Sequence, residues 1–391
     1  MAIFYDEDGF VEELDELDNN SVYDVNIKVF GIGGGGCNAL EHMARQGVAG
    51  VEYIAVNTDV PALRSKDKNL MKRLQIGRKT TKGRGAGGTP EVAAESARED
   101  KEEIEKTLKG ASMVFLSAGM GGGTGTGAAP VIAEIAREQG ILTVGIVTKP
   151  FDFERENKMN LALKGIAEMR KHVDALVIIP NQRLLKLNER ALNFKQAFAM
   201  VDDVLYNVVR SISELLNNTA VMNIDFADLK STLEEAGDAH IAIGIGTGDN
   251  KVEEAVQKIV NSPLLETSIA NAGKVLVNVV MSEDTLLYEV DEVMNKITGV
   301  AHPDVKVIYG ADYSPELKDE IIVTIIATCF NKSEGEAAVP AVKNKAFTVE
   351  LDSVEIETTK VKSLDQYITA NLSESFEEDP FRDLDEIFKK R

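Results

Sequence analysis

From Val25 to Pro180 the chain repeats one unit, a short and almost wholly apolar run followed by a longer stretch of helical periodicity. The runs read "NIKVFGIG", "VEYIAVN", "MKRLQIG", "ASMVFLSAG", "ILTVGIV" and "ALVIIP". Strands apolar on both faces bury both faces when they pair in parallel and helices cover each side of the sheet. The fold class expected over residues 25–190 is therefore α/β, with a doubly wound parallel sheet. In the common strand order 3-2-1-4-5-6, strands one and four are neighbours, and ligands enter the crevice at their carboxyl ends.

The remaining chain divides by pattern. Phe194, Phe198, Val201, Leu205, Val208 and Ile212 recur at helical spacing, which predicts one long central helix over 191–219. Residues 220–330 supply four more strands, "HIAIGIGTG", "KVLVNVVM", "KVIYGADY" and "EIIVTIIATCF", for a second, smaller α/β domain. Here "GIGTGD" is expected to close a strand, although it looks like a phosphate loop. Residues 1–24 carry acidic residues and no Lys or Arg, and read as a flexible acidic arm. Residues 331–378 turn polar and irregular and read as a tether, although "AFTVELDSVEI" alternates enough for a short strand pair. In 379–391, Asp379 suits an N-cap and Pro380 the first helical position. Phe381, Leu384, Ile387 and Phe388 then share one face, so this end reads as an amphipathic docking peptide.

Composition narrows the chemistry. With 64 acidic against 43 basic residues the formal net charge is −21, which opposes binding to nucleic acid and to anionic membrane surfaces. No apolar run is long enough for a membrane span and the N-terminus lacks a signal peptide's pattern, so a cytoplasmic protein without direct membrane insertion is expected. Cys37 and Cys329 are far apart, and His42, His172, His240 and His302 are scattered. No metal site built from side chains is indicated.

Glycine carries the functional signal. "GIGGGG", Gly31 to Gly36, follows the first strand and opens the helix "CNALEHMARQG", the context of a phosphate-binding turn. Gly33, Gly34, Gly35, Gly36, Cys37 and Asn38 are its candidates. Alone it also fits a dinucleotide, with Asn57 or Asp59 of "VNTD" for a ribose, and an NAD-dependent oxidoreductase is the competing reading. A second loop, with Gly121, Gly122, Gly123, Thr124 and Gly125 as candidates, follows the fourth strand. Two such nests of backbone N–H groups at neighbouring helix starts suit a triphosphate, with Thr124 and Thr126 as extra donors. There is no G-x-x-x-x-G-K-[ST] pattern, which excludes an ordinary P-loop. A third cluster, "GRGAGGTP", offers Ala86, Gly87 and Gly88 to the terminal phosphate, or is only a turn before a helix N-capped by Thr89. Cys37 is either a thiol activated by the helix start or a small buried filler.

Together, "GMGGGTGTG", "GIGGGG", "AVNTD", "TKPFDFE" and "NIDFADLK" resemble the tubulin/FtsZ family of GTPases over residues 25–330, on its bacterial cell-division branch. That resemblance implies binding of GTP and GDP with Mg²⁺, hydrolysis, head-to-tail self-assembly into protofilaments, and a ring at midcell. Phe198 and Asp202 stand four apart on one helix face. Locally they read as core and solvated charge, but the resemblance makes them the readers of guanine, with Asn181 as a further base or ribose contact. It also assigns "TKPFDFERENK" to ribose and phosphate, with Thr148 at its start and Glu154 as the ribose acid. Lys158 stands where relatives usually carry Arg, and Arg155 is near enough in sequence to compensate. Asp225 and Asp228 read locally as an N-cap and a first-turn charge. By the resemblance they are catalytic and enter the nucleotide site of the next subunit. The terminal peptide is implied to dock on division adaptors and membrane anchors, although it departs from the usual "DIPAFL" pattern. A tubulin-like filament that binds nucleotide without hydrolysing it is the remaining alternative.

Overall fold

The computed structural model describes residues 25–330 apart from 49, 186–192, 218–221, 223, 263–270, 302–304 and 316. The expectations for the acidic arm, the tether and the terminal peptide lie outside the described residues.

All ten expected strands form. Along the chain come β1 (Ile27–Ile32), α1 (Gly33–Gln46), β2 (Val51–Asn57), α2 (Val60–Arg64), β3 (Lys72–Gln75), α3 (Pro90–Glu99) and α4 (Lys101–Leu108). There follow β4 (Met113–Gly119), α5 (Thr124–Glu138), β5 (Leu142–Lys149), α6 (Glu156–Met169), β6 (Ala175–Pro180) and α7 (Asn181–Leu184). The second half holds α8 (Phe194–Asn217), α9 (Phe226–Leu233), β7 (Gly237–Thr247), α10 (Lys251–Val260), β8 (Lys274–Met281), α11 (Leu287–Val300), β9 (Lys306–Tyr313) and β10 (Glu320–Thr328).

The strands make one sheet in the order β3-β2-β1-β4-β5-β6-β7-β10-β8-β9. Its first six follow the expected 3-2-1-4-5-6 order, all in parallel. Every residue of β1 is buried, as a strand covered on both faces must be, and its side chains feed two cores in alternation. Ile27 and Val29 join α1 residues Leu40 and Met43 and α8 residues Val201 and Leu205. Phe30 and Ile32 join Ala93 and Ala97 of α3 and Ile132 and Ala136 of α5. Each of the Val, Leu, Ile, Phe and Met side chains among them contributes about 1.5–3 kcal/mol when withdrawn from water.

The eleven-residue β7 joins the two halves. It pairs in parallel with β6 from Ala175↔Gly237 to Val177↔Ala239, then antiparallel with β10 from Ala327↔His240 to Glu320↔Thr247. The segment read as closing a strand does so, with Gly248 at φ 66° opening the 3-10 turn that follows β7. The described residues belong to one compact unit that runs to Asn331.

The central helix is α8. Val201, Leu205, Val208, Val209 and Ile212 form its buried stripe. At 24 residues it is about 36 Å long, enough to carry the chain from the carboxyl edge of the sheet to the opposite edge. There α9 leads into the amino end of β7, whose Gly237 N donates to Asp174 O just before β6.

Candidate functional site

Three glycine loops meet at the carboxyl edge of β1 and β4, and the reason is steric. A Cβ on Gly33 (φ 75°) would lie 2.8 Å from Gly125 N, and one on Gly125 would lie 2.5 Å from Gly119 O. On Gly123 it would lie 3.0 Å from Ala86 Cβ and 3.1 Å from Thr89 N. The loops after β1 and β4 and the cluster before α3 therefore touch one another through glycine. On Gly36 and Gly127 a Cβ would collide with Ser117 O and Pro90 O. By contrast, nothing lies within 4 Å of a Cβ on Gly34, Gly87, Gly88 or Gly122. The glycines thus divide into those that let the loops pack and those whose open side faces outward. In the second loop Gly123, Gly125 and Gly127 are small because neighbouring atoms, mostly backbone, come so close.

Two helices start here without protein caps. Neither α1 nor α5 has a side-chain cap or an acidic residue in its first turn, so their leading N–H groups and positive dipole ends suit an anion. Thr124 Oγ1 lies 2.8 Å from the hydroxyl of buried Thr58. Thr126 is buried, and its hydroxyl accepts from Gly121 N at 2.9 Å. Thr126 therefore holds the loop's shape, where a phosphate donor was expected. Before α3, Thr89 occupies the N-cap position without a side-chain bond. The thiol of Cys37 points inward to Gly31 O and Val56 O, and burial pushes its pKa up to about 12. The filler reading of Cys37 holds, and the activated thiol is corrected. Its neighbour Asn38 is exposed, and its Oδ1 accepts from Lys66 Nζ at 2.6 Å.

A second group of candidates borders the same edge. Thr148, buried at the end of β5, accepts from Met120 N through its carbonyl, 3.0 Å away. Glu154 accepts from Phe151 N through one oxygen and pairs with Lys158 Nζ at 2.8 Å through the other. A Cβ on Gly121 (φ 102°) would lie 2.8 Å from Lys158 O, so the second loop also leans on α6. Arg155 enters α6 at φ 75°, ψ 164°, a region that costs a non-glycine residue about 1–3 kcal/mol. Asn57 is buried, and its Oδ1 accepts from Asp59 N. Asp59 in turn N-caps α2 through Ala62 N, so that acid serves the fold.

The residues expected to meet the base lie on α7 and α8. Asn181 is buried and its Oδ1 has no hydrogen-bond partner, an unmet acceptor that calls for a donor from a ligand. Phe198 meets Phe194 at 4.9 Å and, edge-on, Phe151 at 5.2 Å, while Phe153 stacks on Phe151. This aromatic cluster was not read from sequence, since its members come from two segments some 40 residues apart. One turn on along α8, Asp202 is partly buried. Burial drives its pKa up to about 7, opposed by the nearby charges of His42 and Lys66 and reinforced by Asp203. Lys66 and Thr58 were also missed, Lys66 because no motif contains it and Thr58 because only its neighbours Asn57 and Asp59 were taken from "VNTD".

Asp225 and Asp228 stand apart from these loops. Both are exposed, and Asp225 N-caps α9 by accepting from Asp228 N at 2.7 Å. They lie at the far end of α8, and α9 packs on β5 and β8.

Residues 26–189 match the model of the Tubulin/FtsZ family, GTPase domain, and residues 237–331 that of the FtsZ family, C-terminal domain. The cell division protein FtsZ of Buchnera aphidicola subsp. Schizaphis graminum (strain Sg) is 47% identical over 314 residues, 80% of each chain. The chain belongs to the FtsZ family. The cell division protein FtsZ of Wigglesworthia glossinidia brevipalpis is 47% identical over 306 residues, covering 78% of this chain and 79% of that protein. The solved FtsZ dimer of M. jannaschii, described as empty, superposes with a TM-score of 0.74 at 37% identity, over 81% of this chain and 90% of that one. As an FtsZ-family member the protein binds GTP and GDP and is a GTPase. The FtsZ-family GTPase model ends at 189, so it spans the glycine loops, "TKPFDFE" and Asn181, whereas Phe198 and Asp202 follow on α8.

Proposed function

We propose that the protein hydrolyses GTP at a site completed by two copies of itself, and that this couples hydrolysis to the protofilaments its family forms in cell division. The observation that carries the reading is the separation of the parts. The glycine loops occupy the carboxyl edge, whereas Asp225 and Asp228 sit beyond the far end of a helix about 36 Å long. A contact that joins opposite ends of identical subunits is heterologous and does not close, so it builds a filament.

Within one subunit, Gly33 to Gly36, Gly87, Gly88 and Gly121 to Gly125 present backbone to the phosphates, with α1 and α5 directing N–H groups at them. Glu154 binds the ribose, and Asn181, Phe198 and Asp202 hold the base. A carboxylate accepts the two adjacent N–H groups that guanine offers and adenine lacks. Phosphoryl transfer to water needs positioning and charge neutralisation more than covalent chemistry. Asp225 and Asp228 of the neighbouring copy orient that water. Mg²⁺, when bound, would supply further neutralisation of the triphosphate charge. The described residues contain no group of three or more His, Cys, Asp or Glu that could hold a metal ion.

On this reading the protein acts in the cytoplasm at the midcell division site, as a ring recruited through residues 379–391 to adaptors and membrane anchors. No helix among the described residues is long and apolar enough to cross a membrane. Phosphate release per subunit, measured against protein concentration, tests the central point. It should rise from near zero as subunits begin to associate. A rate already maximal at high dilution would sink the shared site.

A further inference from the structure

Lys66 lies just beyond α2 with 9% of its side chain exposed, an unusual position for a residue whose charge is costly to bury. Its ammonium bonds Asn38 Oδ1 at 2.6 Å and Glu41 Oε2 at 2.9 Å. A methionine would fill such a place without the desolvation cost. Glu41 does not depend on Lys66 alone, since its other oxygen pairs with Arg45 at 3.0 Å.

The chemistry of the pair settles which way the Asn38 amide faces. Lysine has three donors and no acceptor, so Asn38 must offer it oxygen. The Nδ2 amide then carries two N–H groups with no partner among the described residues, on an exposed side chain two positions past Gly36. Lys66 also acts electrostatically on Asp202 across the α1–α8 contact, alongside His42 and against Asp203. That influence is the smallest of the four acting on Asp202, so the bond to Asn38 is the contact that loss of Lys66 chiefly removes.

We propose that Lys66 is a positioning residue for the nucleotide, which locks Asn38 with its N–H donors outward so that they meet an acceptor on the bound guanine nucleotide. The inference rests on the GTPase reading above. A residue that only tied α2 to α1 would affect stability without regard to Asn38.

The test is a double-mutant cycle on the full chain, read as affinity for a fluorescent GDP. Lys66→Met and Asn38→Ala should each weaken binding about 10-fold, the loss of roughly one hydrogen bond, and the double variant should bind no worse than either. Lys66→Arg, which also has donors only, should restore near-native affinity. Independent losses that multiply to about 100-fold in the double variant, or unchanged affinity in Lys66→Met, would overturn the proposal. If Lys66→Met shows no cooperative unfolding, Lys66→Gln replaces it in the cycle, because its amide no longer dictates the flip of Asn38. A wild-type chain that fails to bind GDP would sink the GTPase reading itself, whereas multiplicative losses in a chain that binds would sink only this inference.

Discussion

If Asp202 reads guanine as proposed, the affinity for guanine nucleotides should depend on pH in a calculable way. Only its ionised form accepts both guanine N–H groups, and burial has raised its pKa to about 7. Before guanine binds, the carboxyl is therefore about nine-tenths protonated at pH 6 and about one-tenth at pH 8. Each pH unit below the pKa costs a factor approaching ten, and above it the profile flattens. Between pH 8 and pH 6 the affinity for GDP should fall about 10-fold, or about 1.4 kcal/mol. Titration of fluorescent GDP across pH 5.5–8.5 measures this. The terminal phosphate of GDP titrates in the same range, so the slope must be compared with that of Asp202→Asn. That variant should lose about 100-fold in affinity at pH 8, since an amide sets a donor against a donor, and should lose the carboxylate's share of the slope. An identical slope in both proteins, or stronger binding at pH 6, would refute the assignment of Asp202.

The same shift has a consequence for the unliganded fold. A carboxyl whose pKa is higher folded than unfolded holds its proton more tightly in the native state, so stability falls as pH rises from about 4 to about 7 and is level above. Asp202→Asn should thus raise the unfolding midpoint of the nucleotide-free protein at pH 8 and leave it nearly unchanged at pH 4. The cost of the ionised group is a few kcal/mol. GDP, which binds the charged form, should reverse the order of the two midpoints.

The glycines and the remaining side chains are separable by experiment. Gly127→Ala drives a methyl into Pro90 O and should lower the thermal midpoint by several degrees, whereas Gly122→Ala meets open space and should unfold like the wild type while binding GDP more weakly. Cys37, buried with its pKa near 12, should resist maleimide at pH 7.5 until the protein is unfolded; labelling in the native state would contradict its placement. Asp225→Ala should cost about 1 kcal/mol of stability as a lost cap together with most turnover, and Asp225→Asn should keep the cap and still lose turnover. Full GTPase activity in Asp225→Asn would remove that residue from the chemistry.

The strand order was legible because burial on both faces leaves an unbroken apolar run, and runs such as "KVFGI" admit few alternatives. Glycine spacing located the site, but it could not show which glycine serves what. Gly123 and Gly122 look alike in sequence, and only the approach of Ala86 and Thr89 to one of them separates packing from access. Lys66 and the raised pKa of Asp202 were illegible for a related reason. Each depends on partners brought close by the packing of α1 against α8 and α2, and no local pattern records such a meeting. Asp225 shows the opposite limit. The local reading makes it a cap and the family resemblance makes it catalytic. The cap bond from Asp228 N uses a single oxygen, Oδ1, and the residue remains exposed. Capping therefore occupies one oxygen of an exposed carboxylate and leaves the other outside the cap bond. The proposed role toward a neighbour's water needs an oxygen that the cap does not use, so capping and catalysis do not exclude each other at the residue that starts α9.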